Sequence, residues 1–207
     1  MTIESAKVGA TSLVAWTATA KCIAVTDLNE PRPTLLVAPT TSLLGTTPPC
    51  WCLLDPTQTP HRAIEVIVVT REKIWTMDGR AATPHERVND LSALAVSLNG
   101  ALLAGYSEQT GIVEVFSLPF KSDPVKPIST HVSPTASAPM SFAWCGADAV
   151  ALSWATHMSL VGPYGDAIDY PLDDGPLYLV PEMDGLRLFS AYTTSFLQKL
   201  PCRLSHS

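Results

Sequence analysis

The chain has 207 residues, a formal net charge of −6 at pH 7, and 46% hydrophobic against 15% charged residues. This composition is rich enough in apolar residues to build a core and too rich for a disordered tail. Lys and Arg are scattered without a basic run, which argues against nucleic-acid binding because phosphate contacts need clustered positive charge.

The first twenty residues carry a weak targeting pattern. Lys7–Ala20 contains a short apolar stretch and ends in Ala-Thr-Ala, which resembles a signal-peptide cleavage site. Gly, Ser and Thr dilute the stretch and Glu4 offsets Lys7, so an ordinary strand over Leu13–Thr17 is favoured. A secreted β-protein stays as a minor alternative. No segment reaches the ~18 apolar residues of a transmembrane helix.

Short β-rich runs bounded by turn residues follow, and no capped amphipathic helical stripe is found. The run Ala63–Val69 is nearly continuous in β-branched residues, which predicts a strand buried on both faces. Further strands in this half are predicted at Cys22–Val25, Thr34–Ala38, Cys50–Leu54 and Ile74–Met77.

The clearest unit lies between Leu91 and Leu118. Three strands are predicted, at Ala93–Ser97, Ala101–Tyr106 and Ile112–Ser117. Asn99-Gly100 between the first two is the preferred pair of a type I′ hairpin. In the third strand, valines alternate with Glu114, which predicts a meander with one polar face.

A segment rich in Pro, Ser and Thr, at about residues 119–139, is predicted to be a mobile surface loop. Beyond it, strands are predicted at Ser141–Cys145, Ala149–Ala155, Met158–Gly162, Ala167–Leu172, Leu177–Val180, Leu186–Ser190 and Ser195–Leu200.

Antiparallel meanders that recur about every 40 residues are typical of propeller blades. We therefore predict an all-β fold, a β-propeller of meander blades, with a β-sandwich as the runner-up. At about 40–45 residues per blade the chain makes four to five blades at most. The number of predicted strands favours fewer blades, because the Pro-rich loops use up part of the chain length.

Residues with reactive side chains form no recognisable catalytic or metal-binding motif. The five cysteines are odd in number, which favours a reducing setting, and Cys50-Trp51-Cys52 lacks the second pair that a zinc site needs. None of the five histidines lies four residues from another, and no phosphate-binding loop or nucleophile elbow occurs. We predict no catalytic, cofactor-binding or metal-binding residue.

Four acidic residues, Asp173, Asp174, Glu182 and Asp184, lie among apolar residues near the C-terminus. They could form an acid/base pair or hold turns. The turn interpretation is favoured, with Asp184 bonding backbone N–H groups and Gly185 taking a positive φ. Burial of Glu182 and Asp184 together in a pocket would contradict it.

The C-terminal part resembles a known family. The segments Ser141–Trp154, Met158–Asp173, Ser195–Pro201 and above all "YLVPEMDGLRLFS" (Tyr178–Ser190) are similar to the last part of the N-terminal β-propeller in the vacuolar protein sorting-associated protein 16 family. A looser similarity, in the same order, covers the segments Pro48–Leu54, Ile64–Asp78 and Leu91–Phe116.

This resemblance implies a non-catalytic scaffold without a cofactor. Members of this family are core subunits of the HOPS and CORVET complexes, which tether endosomes, lysosomes or vacuoles and support SNARE-mediated membrane fusion. The implied partners are other tethering subunits, and the implied location is the cytoplasm, peripherally on endosomal and vacuolar membranes. The family's Sec1/Munc18-type partner binds a C-terminal α-solenoid, so we expect its site to be absent here.

The expected domain is a partial, incomplete β-propeller over residues 1–201, followed by a divergent tail, Cys202–Ser207. An incomplete ring leaves an open edge, so we expect the chain to be poorly stable alone. The alternative function is a propeller- or sandwich-type hydrolase. It requires a histidine and a carboxylate to meet in a pocket with strongly shifted pKa values.

Overall fold

The computed structural model describes residues 3–39, 50–70, 73–85, 90–120, 130–131, 137–162 and 165–198. Over these ranges the chain forms nineteen strands in five antiparallel sheets and no helix. These ranges therefore include no helix that is long and apolar enough to cross a membrane.

Each sheet is a meander in chain order, and each is one blade. The strands of blades 1 and 2 are β1 Ile3–Val8, β2 Ser12–Thr17, β3 Cys22–Thr26, β4 Arg32–Leu35, β5 Cys50–Leu54, β6 Glu65–Val69, β7 Ile74–Met77 and β8 Ala82–His85. Those of blades 3 and 4 are β9 Ala93–Val96, β10 Leu102–Ser107, β11 Ile112–Ser117, β12 Thr130–His131, β13 Ser141–Cys145, β14 Ala149–Ser153, β15 His157–Val161 and β16 Ala167–Pro171. Blade 5 has three strands, β17 Tyr178–Glu182, β18 Gly185–Phe189 and β19 Thr194–Gln198.

The first strand of each blade lies innermost. Strands β1, β5, β9, β13 and β17 contact one another in that order, and they line a central cavity of about 410 Å³. Sheets that radiate from a shared axis in this way define a β-propeller. The predicted fold class is therefore confirmed.

Apolar clusters between successive blades form the core. Trp16 of blade 1 meets Trp51 of blade 2 edge to face, with ring centroids 6.3 Å apart. Tyr106 of blade 3 meets Trp154 of blade 4 in the same way at 5.8 Å. Comparable clusters join blade 2 to blade 3 and blade 4 to blade 5. Each blade is thus held mainly by its neighbours in the chain.

The middle blades are buried on both faces because each lies between two others. In β6, Val66 and Val68 pack toward blade 1, while Ile67 and Val69 pack toward blade 3. This confirms the prediction of a strand buried on both faces. The prediction of one polar face in blade 3 is wrong, since Glu114 is only 2% exposed.

Blades 1 and 5 each have one face that no other described blade covers, and we call these two surfaces the end faces. On them, large apolar side chains are exposed to solvent. They are Ile3, Val8 and Leu35 in blade 1 and Tyr178, Val180 and Phe196 in blade 5. The described blades therefore form an open arc, as expected of a partial propeller.

The expectation of fewer than five blades is wrong. Three strands escaped the sequence patterns, namely β1, β8 and β12. Strand β12, Thr130–His131, lies inside the predicted loop at 119–139 and pairs with β11. Residues 121–129 and 132–136 of that loop, and the tail at 202–207, lie outside the described residues.

The turn at Asn99-Gly100 joins β9 to β10, but it is not type I′. Such a turn needs positive φ at both central residues, and only Gly100 has it, with φ +68°. The Asn99 side chain instead accepts hydrogen bonds from the Ala101 N–H at 3.0 Å and the Ser97 hydroxyl at 2.8 Å. The turn is thus held by hydrogen bonds to the Asn99 side chain, and Asn99 does not adopt a left-handed conformation.

Gly100→Ala is expected to lower the free energy of unfolding by roughly 2 kcal/mol. A Cβ at Gly100 would lie 2.3 Å from the Gln58 carbonyl oxygen, so the backbone has to shift. Gly175→Ala is a matched control, because Gly175 has φ +84° and no heavy atom within 4 Å of its Cβ position. Urea unfolding measures the free energy of unfolding of both variants. Equal losses in Gly100→Ala and Gly175→Ala would contradict the close approach of Gly100 to Gln58.

Candidate functional site

The acidic residues near the C-terminus lie at turns and at a strand end. Glu182 accepts a hydrogen bond from the Arg187 Nε at 2.5 Å, and Arg187 lies 5.5 Å from the centre of the Phe196 ring. Asp184 is exposed at the turn between β17 and β18. Glu182 and Asp184 are thus not buried together in a pocket.

Gly185 does not adopt the predicted positive φ. Its role is steric, because a Cβ would lie 2.2 Å from the Leu197 carbonyl oxygen and 2.9 Å from the Phe196 ring. The other predicted turn, at Asp173–Pro176, does place Gly175 at φ +84°.

The four described cysteines are buried. Cys50 and Cys52 lie on the face of β5 that packs against blade 3. Burial raises the pKa of Cys52 to about 12, and it raises the pKa of Cys22 to about 12 as well. A thiol with such a pKa stays protonated near neutral pH and is a poor nucleophile and metal ligand. Among the residues that the structure describes, no three His, Cys, Asp or Glu side chains group as a metal site.

A cleft of about 540 Å³ lies between blades 2 and 3, and we call it the inter-blade cleft. Blade 2 contributes Glu65, Thr76, Asp78 and His85, and Phe120 after β11 closes the opposite side. Pairing along the sheet puts Thr76 opposite Thr83, and Ile74 opposite His85. The carboxylates therefore lie at one end and the imidazole at the other.

The polar groups of the inter-blade cleft are partly desolvated. Burial lowers the pKa of His85, which keeps the imidazole neutral near pH 7. Its Nε2 lies 3.0 Å from the Thr76 hydroxyl, and its ring stacks on Phe120 at 4.4 Å. Burial also raises the pKa of Glu65, as does the nearby charge of Asp78, while His61 partly offsets both.

The described residues of the cleft do not complete the set of groups that a hydrolytic triad needs. Thr76 and His85 have the spacing of a nucleophile and its base, but a third group must orient the base. Among the residues that the structure describes, the contacts of the His85 ring are the Thr76 hydroxyl and the Phe120 ring. Asp78 is engaged in its own turn, where its Oδ1 accepts hydrogen bonds from the Arg80 and Ala81 N–H groups at 2.6 and 2.7 Å. The geometry supports ligand binding more than catalysis.

The sequence did not indicate this cleft. Its polar side chains come from several strands and turns of two blades, and Phe120 lies 35 positions beyond His85 in the chain. Only the packing of blade 2 against blade 3 brings them together. Periodicity within one strand carries no signal of such a juxtaposition.

The fold defines a β-propeller protein, and structural comparison supports this class. The structure matches a catalytically inactive variant of virginiamycin B lyase from Staphylococcus aureus with a TM-score of 0.61, covering 95% of this chain and 69% of that one at 10% identity. It matches the WD40 domain of Toxoplasma gondii coronin with a TM-score of 0.59, covering 95% of this chain and 55% of that one at 10% identity. At such identities the likeness shows the fold alone.

The family described as "Vps16, N-terminal region" matches residues 17–206. The chain belongs to this family. It is 31% identical over 173 residues to Protein VACUOLELESS1 of Arabidopsis thaliana, covering 74% of this chain and 19% of that protein. It is 28% identical over 187 residues to a probable vacuolar protein sorting-associated protein 16 homolog of Schizosaccharomyces pombe, covering 89% and 22%. The chain thus spans about a fifth of the length of these curated relatives.

Proposed function

We propose that the chain is a non-catalytic scaffold in vacuolar protein sorting, acting through contacts with other proteins. The observation that carries this proposal is the family match over residues 17–206. The names of the curated relatives support it, since one is a vacuolar protein sorting-associated protein.

The finer proposal is that it belongs to the HOPS and CORVET tethering complexes, which act at endosomes and at lysosomes or vacuoles in membrane fusion. Its partners are then other tethering subunits, and it is cytoplasmic and peripheral on these membranes. We place its scaffold role in one partial propeller over residues 1–201 with a divergent tail at 202–207. We place the Sec1/Munc18-type partner site outside this chain.

The two end faces support a role in protein contacts. Blade 5 exposes Tyr178, Val180 and Phe196 on one sheet face, with the Glu182–Arg187 ion pair between them. Apolar surface concentrated on one face and interrupted by a polar pair is typical of interaction sites.

An affinity pull-down of the tagged chain from its own cells, read by mass spectrometry, tests the proposal. We expect tethering subunits to be recovered, and Val180→Asp to reduce their recovery because it places a charge on the end face of blade 5. Tyr192→Asp is the control, since Tyr192 is 82% exposed outside that face. A stable, folded chain that recovers no tethering subunit would contradict the proposal.

A further inference from the structure

The inter-blade cleft is elongated. Thr83 and His85 of the outermost strand of blade 2, together with Ala81 just before that strand, line the cleft at alternate positions. Same-face residues of a strand are about 6.6 Å apart, so Ala81 and His85 lie roughly 13 Å apart. That distance equals four residue steps of an extended chain.

Hydrogen bonds between the loop of blade 2 and the turn of blade 3 hold one end of the cleft. The Gln58 side-chain amide donates hydrogen bonds to the carbonyl oxygens of Ser97 at 3.1 Å and Leu98 at 3.2 Å. Gly100 packs directly against Gln58, so the blade 3 turn cannot approach further. A preformed cleft loses little conformational entropy on binding.

The two ends of the cleft differ in chemistry. Glu65 and Asp78 are the charged residues of the lining, and no Lys or Arg is among its described residues. The other end is apolar, with the Phe120 ring against the neutral His85 ring. Burial raises the pKa of Glu65, and the nearby carboxylate of Asp78 raises it further. An added cation at this end would relieve that repulsion.

We propose that the inter-blade cleft binds an extended peptide segment of a partner protein, with a basic side chain at Glu65 and Asp78 and an apolar side chain four positions away against Phe120. The charge of the lining selects the basic residue. The length of the cleft sets the spacing, because residues four apart in an extended chain point the same way. This site does not depend on membership of a tethering complex.

Calorimetric titration of the full chain with acetyl-Arg-Ser-Thr-Ser-Leu-amide tests the proposal. We expect saturable binding, and about a tenfold loss of affinity when neutral citrulline replaces the arginine, the scale of a hydrogen bond between charged groups. A similar loss is expected when serine replaces the leucine. Binding that is absent, or equal for the arginine and citrulline peptides, would overturn the proposal.

Variants locate the site. Glu65→Gln is expected to weaken binding of the arginine peptide by about tenfold and to leave binding of the citrulline peptide unchanged. Glu30→Gln is the matched control, because it removes the same charge from an exposed turn of blade 1. Glu30 pairs there with Arg32. Unfolding curves of both variants establish that they are folded. Equal affinities of the two variants would overturn the assignment to this cleft.

Discussion

Replacing Trp144 by alanine is expected to destabilise the chain by roughly 3–5 kcal/mol. The indole is 2% exposed and fills the cluster between blades 3 and 4. Its Nε1 donates a hydrogen bond to the Ala95 carbonyl oxygen at 2.9 Å, which ties the innermost strands of the two blades together. Alanine removes the packing and the bond at once. Since domains have total stabilities of about 5–15 kcal/mol, such a loss brings the chain close to unfolding.

Two further variants separate the contributions to this loss. Trp144→Phe keeps an aromatic ring but leaves the Ala95 carbonyl without its donor, so it is expected to lose about 1–3 kcal/mol. Tyr192→Ala removes a ring that is 82% exposed, and it is expected to change stability by less than about 0.5 kcal/mol. Urea unfolding followed by circular dichroism measures all three. If Trp144→Ala lowers the free energy of unfolding no more than Tyr192→Ala does, Trp144 does not stabilise the contact between blades 3 and 4.

Strands with strong local patterns could be predicted closely. The strands at Cys50–Leu54, Ile74–Met77 and Ile112–Ser117 begin and end where the sequence predicted. Their β-branched and aromatic residues are bounded by turn residues, so both the type of element and its ends are encoded locally.

The strands that the sequence did not predict are short, polar or exposed. Strand β8, Ala82–His85, contains a proline and a histidine and is half-buried to exposed. It is a strand because it pairs with β7 at the outer edge of blade 2. Edge position also explains why a proline is tolerated there, since one side of the strand needs no hydrogen-bond donor.

Burial of polar groups was the least predictable feature. Glu114 has the alternating pattern of a solvent-facing residue, yet blade 3 is covered on both sides. The segment Asp173–Asp184, whose carboxylates could have formed an acid/base pair, instead contains turns and strand β17, and Glu182 forms a surface ion pair with Arg187. Neighbouring blades, not neighbouring residues, decide which carboxylates are withdrawn from water.

Asp55 is the strongest example of such a buried carboxylate. It is 4% exposed at the end of β5 and joins the first turn of blade 1 to the loop of blade 2. It accepts hydrogen bonds from the Thr11 N–H at 3.1 Å, the Thr11 hydroxyl at 3.2 Å and the Ser12 hydroxyl at 2.8 Å. It also accepts bonds from the Thr57 N–H and hydroxyl, each at 3.3 Å. Gly9 leaves room for it, because a Cβ there would lie 2.5 Å from Asp55 Oδ2.

Asp55→Asn is expected to lower the free energy of unfolding at neutral pH by about 2–4 kcal/mol. An asparagine has one acceptor oxygen in place of two, and its NH₂ group would face donors of Thr11, Ser12 or Thr57. Asp27→Asn is the matched control, because Asp27 lies on an exposed turn and its carboxylate accepts a single bond from the Asn29 N–H at 3.0 Å. Its expected loss is below about 0.5 kcal/mol.

The cost of Asp55→Asn is expected to depend on pH. Burial alone raises the pKa of a carboxyl, but the hydrogen bonds from Thr11, Ser12 and Thr57 outweigh it and lower the pKa of Asp55. The unfolded chain therefore binds more protons than the folded one, and the contribution of Asp55 is full above the unfolded aspartate pKa of about 3.9. It is lost as the pH falls through the lower, folded pKa. Urea unfolding at several pH values measures the difference in free energy of unfolding between the unsubstituted chain and Asp55→Asn. We expect this difference to shrink in acid. A difference that stays constant with pH would contradict a charged Asp55 at this junction.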